Sequence, residues 1–174
     1  MLIHSDRLTL RAAESSDGRF VADLLNSEAA APAYGPHFPL SAADGQQKLA
    51  DSRSTSLIAE RTQDIVAVGF LRFCLSWGEA VMNIEDVVFD AVHQGKGYGR
   101  EALGGLLDHF FRRWGGRRAE LQLRATNKRA LRTYEALGFV IEGRRRKVVP
   151  LAWQPDGDRD FLMMGLLSTE LREG

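Results

Sequence analysis

The stretch Gln94-Gly95-Lys96-Gly97-Tyr98-Gly99-Arg100 places a glycine at every second position between a β-branched run and a long amphipathic segment. A turn with so few Cβ atoms lets several backbone N–H groups converge, and the helix that follows aims its positive end at the same point. The chemistry on offer is capture of an anion. A phosphate loop would require G-x-x-x-x-G-K followed by Ser or Thr, and a dinucleotide fold would require G-x-G-x-x-G within a parallel βαβ unit. Neither pattern fits. Upstream lie two adjacent acids, Glu85 and Asp86, and downstream lie Asn127 and Tyr134. These side chains can accept a proton, bond an amide and donate from a phenol. In one extended strand Glu85 and Asp86 point to opposite faces, so at most one of them reaches a given site directly.

Periodicity identifies the elements that must hold these groups. Glu85 to Phe89 reads as a largely buried strand, and Leu103, Leu106, Leu107, Phe110, Phe111 and Trp114 recur at helical spacing after the glycine turn. Leu8 to Arg11 alternates as an edge or near-edge strand, and Ser15-Ser16-Asp17 offers caps for a helix carrying Phe20, Val21, Leu24 and Leu25. Ala29 to Leu40 contains Pro32, Pro36 and Pro39, which cannot continue a helix, so it reads as a connector. Ser41 caps a second helix through Leu49. Leu57 to Glu60 and Ile65 to Leu75 form a hairpin with Gly69 marking a bulge. Arg117 to Ala125 is a strand with Arg118, Glu120, Gln122 and Arg124 on one face. Asn127 opens a helix that Gly138 ends, and Phe139 to Ile141 and Phe161 to Leu167 supply the last strands, the second after a turn at Gln154 to Gly157. Arg144 to Lys147 reads as a solvated strand end. Strands and helices alternate irregularly, which predicts an α+β chain with a mixed sheet.

Composition narrows the function. The 174 residues suit a single domain spanning 1–174, and the 23 basic and 23 acidic residues cancel, which argues against a dedicated nucleic-acid or anionic-membrane binder. Cys74 is the only cysteine, so an internal disulfide and a cysteine-rich metal site are both excluded, and a packed strand thiol is its expected role. The N-terminus lacks a signal-type apolar region and no run reaches about 20 apolar residues, so a cytoplasmic location is expected.

Gln94-Gly95-Lys96-Gly97-Tyr98-Gly99 matches the Q/R-x-x-G-x-G/A turn of the GNAT superfamily of acyl-CoA-dependent N-acyltransferases, which the chain resembles. Asn127-Lys128-Arg129-Ala130-Leu131-Arg132-Thr133-Tyr134-Glu135-Ala136-Leu137-Gly138-Phe139 is similar to that family's second signature, N-x-x-A-x-x-x-Y-x-x-x-G-F. The less specific Arg7 to Arg11 and Asp160 to Leu167 resemble the branch that includes ribosomal-protein N-terminal acetyltransferases. The resemblance implies the GNAT architecture, a mixed central sheet with helices on both faces and a splayed strand pair into which a thioester arm enters. It also implies acetyl-CoA as cosubstrate, no metal, and compatibility with a homodimer.

The resemblance distributes the roles as follows. Gln94 and the backbone from Gly95 through Lys96, Gly97, Tyr98 and Gly99 to Arg100 would cradle the pyrophosphate, while main-chain groups of Val87, Val88 and Phe89 would pair with the pantetheine amides. A backbone N–H near Val88 would polarise the thioester carbonyl. Asn127 would bond the arm from the other side, a role compatible with capping its helix. Tyr134 holds the general-acid position for the leaving thiolate. Glu85 is the expected base, sharing a parity with Asn83 and Val87, with Asp86 and a water chain as the alternatives. Tyr34, His37, Phe38 and Trp153 are expected beside the acceptor. An amine acceptor follows, small-molecule or peptide; a protein N-terminus and a non-catalytic acyl-CoA sensor are the competing readings.

Overall fold

Alternating apolar residues build the strands Leu2–His4 (β1), Leu8–Ala12 (β2), Thr55–Arg61 (β3), Ala67–Ser76 (β4), Val81–Phe89 (β5), Arg118–Arg124 (β6), Val140–Arg145 (β7) and Phe161–Leu167 (β8). Between them run the helices Gly18–Asn26 (α1), Ala31–Tyr34 (α2), Ala42–Leu49 (α3), Tyr98–Arg113 (α4) and Lys128–Leu137 (α5). The computed structural model describes residues 1–28, 30–34, 39–150 and 157–172, with Tyr34 described by its backbone alone. Among these residues the strands form one sheet in the order β1-β2-β3-β4-β5-β6-β8-β7. Every neighbouring pair is antiparallel except β5 and β6. The mixed sheet expected from the irregular alternation is therefore present, with β1 as an edge strand that the pattern did not announce.

The two faces carry separate cores. Leu103, Leu106, Leu107 and Phe110 of α4 pack with Leu71, Phe73, Met82 and Leu121 of the sheet, while Val21, Leu24 and Leu25 of α1 pack with Ile58, Phe70 and Val88. Helix α3 lies against α1 at Gly45, where an added Cβ would stand 1.9 Å from the Gly18 carbonyl oxygen. Ser41 caps α3 as its sequence predicts, accepting from the Asp44 N–H at 3.2 Å. The proline-bearing stretch departs from expectation, since Ala31–Tyr34 forms one helical turn with Pro32 at its second position. The first turn is where a missing N–H removes no helical bond.

The feature that makes room for a site is the separation of the parallel pair. Pairing of β5 with β6 runs from Val81↔Arg118 to Ile84↔Leu121 and stops, although β5 continues to Phe89 and β6 to Arg124. On the other side of β5 the register with β4 shifts between Arg72↔Asp86 and Phe73↔Ile84, leaving Glu85 as an extra residue. A bulge bends and twists its strand. Here it falls at the residue after the last β5–β6 pair, so the gap opens where β5 turns away.

Candidate active site

The glycine turn closes one end of the gap. Gly95 and Gly97 have φ of 75° and 85°, left-handed values that favour glycine, and Gly97 is the residue before α4. Gly99 lies in the first helical turn with no positive φ, so the spacing overstated its need for special backbone freedom. The first helical bond runs from the Glu101 N–H to the Gly97 carbonyl at 3.0 Å, which leaves the N–H groups of Tyr98, Gly99 and Arg100 without helical acceptors. No side chain caps this end. The positive end of α4 is thus presented to the gap.

Arg7, the residue before β2, ties the turn down. Its Nη1 donates to the Lys96 carbonyl at 3.0 Å, its Nε and main-chain N–H each reach Glu101 at 2.7 Å, and its guanidinium lies 4.6 Å from the Tyr98 ring centre. Ser5 Oγ adds a bond to Glu101 at 2.8 Å. Burial raises the Glu101 pKa, but the bonds from Arg7 and Ser5 outweigh it and hold the carboxyl below its ordinary value. Gln94 links three elements, donating to the Phe89 carbonyl at 2.8 Å while its own oxygen accepts from Arg129 of α5.

Two cavities meet along the gap. One, of about 220 Å³, runs from the glycine turn past Val87, Val88 and Phe89 to Asn127 and Tyr134. The other, of about 410 Å³, shares Ala33, Val87, Asn127, Ala130 and Tyr134 with it and adds Asn83, Glu85, Gln122, Arg124 and Phe161. Asn127 and Tyr134 therefore stand at the junction. Asn127 caps α5, accepting from the Ala130 N–H at 3.2 Å, so the capping role and the lining role coexist. The Tyr134 ring packs edge-on against Phe139 at 5.8 Å between centres. Burial and then the Asp86 carboxylate push its phenol up to about 12, so it is a proton donor throughout the neutral range.

The strand also selects which main-chain groups face the gap. The Asp90 N–H donates to the Val68 carbonyl of β4 at 3.0 Å. Alternation then directs Val88 toward β4 as well, and Val87 and Phe89 toward the gap. Gln94 already takes the Phe89 carbonyl, which leaves Val87 as the more open of the two. The donor expected near Val88 is thus better placed one residue earlier.

The bulge overturns the expected geometry of the acid pair. Glu85 and Asp86 do not fall on opposite faces, and Glu85 does not share a side with Val87. Asp86, 4% exposed, pairs in register with Arg72 and meets Lys48 of α3 at 2.9 Å. Glu85 meets Arg72 at 3.3 Å and accepts from Ser54 Oγ at 2.9 Å. Both acids thus turn to the α3 side, because the extra residue resets the strand's period of two. Only Glu85 lines the second cavity. Nearby Cys74 is half-buried, and burial, then Glu85, raises its thiol pKa, which keeps it protonated and fits a packing role.

The description of the Acetyltransferase (GNAT) family fits residues 21–139. The chain belongs to that family. It is accordingly an acyl-CoA-dependent N-acetyltransferase with acetyl-CoA as cosubstrate, in the α+β GNAT fold. Among curated proteins, none matches its sequence. Among solved structures, this acetyltransferase resembles spermidine N-acetyltransferase from Vibrio cholerae in complex with CoA and spermine, with 23% identity, TM-score 0.80, and coverage of 95% of this chain and 98% of that one. A GNAT-family acetyltransferase from Bacillus anthracis matches with 21% identity, TM-score 0.82, and coverage of 98% and 100%. Ribosomal-protein-S5-alanine acetyltransferase from Vibrio fischeri matches with 17% identity, TM-score 0.79, and coverage of 99% and 100%. At such identities the likeness establishes the shared GNAT fold.

Of the residues expected at the site of this acetyltransferase, Val87, Val88, Phe89, Gln94, Gly95, Gly97, Tyr98, Gly99, Arg100, Asn127 and Tyr134 all line the first cavity. Lys96 is exposed and does not line it, contributing its carbonyl to Arg7 instead. His37, Phe38 and Trp153 lie outside the described residues, and Tyr34 enters only as the last residue of α2. Sequence reasoning missed Arg7 and Arg124. Arg7 carried no chemical signal, while Arg124 belonged to a polar strand face yet is only 7% exposed. Among the described residues no group of three His, Cys, Asp or Glu side chains could hold a metal, and no helix is long and apolar enough to cross a membrane.

Proposed function

We propose that the protein transfers the acetyl group of acetyl-CoA directly to the primary amine of a small molecule. The observation that carries this reading is the continuity of the two cavities through Asn127 and Tyr134, one ending on the uncapped start of α4 and the other on Glu85. The first suits the donor. The N–H groups of Tyr98, Gly99 and Arg100 would hold its pyrophosphate, and the gap-facing main chain of Val87 would pair with its amide-bearing arm. The second cavity then receives the acceptor.

An alkylamine of ordinary pKa about 10.4 is mostly protonated at neutral pH, so it must lose a proton before attack. Glu85 takes that proton, through water where the acceptor does not reach it. The neutral nitrogen adds to the thioester carbon, the Val87 N–H bonds the developing oxyanion, and collapse breaks the carbon–sulfur bond. Tyr134 donates a hydrogen bond to the departing thiolate. A thiol's ordinary pKa is about 8.5, so a phenol near 12 stabilises the thiolate better than it protonates it outright. As the intermediate collapses the nitrogen loses its second proton, which makes the CoA thiol, and the proton first taken by Glu85 passes to solvent, so acetylated amine, CoA thiol and one released proton balance the reaction.

The test is CoA release over a panel of primary amines, for the wild type and Tyr134→Phe. Turnover that drops in the variant while acetyl-CoA binding persists supports the reading. Tight acetyl-CoA binding with no turnover on any amine would instead favour a sensor.

A further inference from the structure

We propose that the acceptor is an amino-carboxylate, its carboxylate bound by Arg124 and its amine presented toward Glu85. This inference deepens the acetyl-transfer reading and rests on it. Arg124 ends β6 on the face shared by Gln122 and Asn83 and lines the second cavity. It is 7% exposed, and its Nη2 is fully buried with no hydrogen-bond partner. Among the described residues no carboxylate, carbonyl or hydroxyl accepts from its guanidinium. Burial lowers its pKa, the mark of a cation held away from water with no anion beside it.

A buried, unpaired guanidinium is costly and becomes favourable only when a charge-complementary group reaches it. The phosphates of the donor are not that group, since they belong at the glycine turn and Arg124 does not line that cavity. The acceptor is. Glu85, the one carboxylate lining this cavity among the described residues, is engaged by Arg72 at 3.3 Å and by Ser54 Oγ at 2.9 Å, and it leaves the Arg124 guanidinium unpaired. A polyamine would place a second cation against the arginine. A zwitterion matches both ends, its ammonium facing Glu85 and its carboxylate the planar guanidinium fork.

The test compares amino acids with the same amines lacking the carboxylate, as decarboxylated amines and as methyl esters, alongside polyamines, in the wild type and Arg124→Met. The free amino acid is expected to exceed its ester in kcat/KM by about a hundredfold in the wild type, a typical consequence of losing one buried charged partner. In Arg124→Met the ratio falls to near one while the acetyl-CoA KM is unchanged. Without acceptor, Arg124→Met should melt no lower than wild type, because replacing an unpaired buried charge by an apolar side chain is neutral or stabilising. Arg124→Lys, which keeps the charge but loses the fork, retains part of the preference.

A second readout separates the two levels. N-acetyl amino acids should raise the melting temperature of the wild type in the presence of CoA, and should not raise that of Arg124→Met. If no amine is turned over yet this shift appears, acetyl transfer fails and the carboxylate site stands. If amines are turned over with no carboxylate preference, or polyamines are the best substrates, the carboxylate site is wrong and acetyl transfer stands. If neither turnover nor the shift depends on the carboxylate, the inference is overturned.

Discussion

The halves of the gap proposed for donor and acceptor are built by different means. The donor half is mostly backbone: two left-handed glycines, the free N–H groups that open α4, and the exposed edge of β5. The acceptor half is mostly side chains, with Glu85, Gln122, Arg124 and Phe161 brought together from β5, β6 and β8. A cosubstrate of fixed chemistry can be met by a fixed backbone, whereas an acceptor is chosen by whichever side chains the same frame displays. The difference predicts that variants in the donor half move the acetyl-CoA KM, and variants in the acceptor half move turnover or acceptor choice.

Tyr134, at the junction, tests that division most severely. Tyr134→Phe should lower kcat by about 10² to 10³ with little change in the acetyl-CoA KM, consistent with loss of one acid-type contribution. A large rise in that KM would assign the residue to the donor half. Because the phenol titrates near 12, kcat should show no alkaline decline from this group below about pH 11, as followed by a pH–rate profile. Glu85→Gln should cost roughly 10- to 100-fold in kcat/KM near neutral pH. The loss should shrink as pH rises, since the free amine is then supplied by solution. A deficit that stays constant across the profile would make Glu85 a packing or orienting residue.

The donor half should respond differently. Gly97→Ala forces a Cβ into a left-handed position and toward Arg7, 3.3 Å from its Nη2. A cost of about 1–2 kcal/mol for that conformation corresponds to a roughly tenfold higher acetyl-CoA KM with kcat nearly unchanged, read by steady-state kinetics. Arg7→Met removes the link to the Lys96 carbonyl and should raise the same KM by only about two- to fivefold, as for a half-exposed charged contact.

The sequence made the donor half legible because its information is local. Gln94 to Arg100 states its own turn and helix start, and Asn127 to Gly138 its own cap and stop, both of which the structure bears out. The acceptor half depends on contacts distant in the chain. Nothing near Glu85 announces that one extra residue there resets the strand, and this is why Glu85 and Asp86 emerge on one side. Arg124 likewise reads as one member of an alternating polar face, and its burial arises only in the folded sheet, where it stands beside Phe161 of β8.

Arg7 has one further consequence. Through it and Glu101, the outermost strand pair shares hydrogen bonds with the loop proposed to meet the cosubstrate. Occupancy of that loop should therefore slow amide hydrogen exchange in β1 and β2, far from the thioester, and a fusion that frays those strands should weaken cosubstrate affinity by the same coupling free energy.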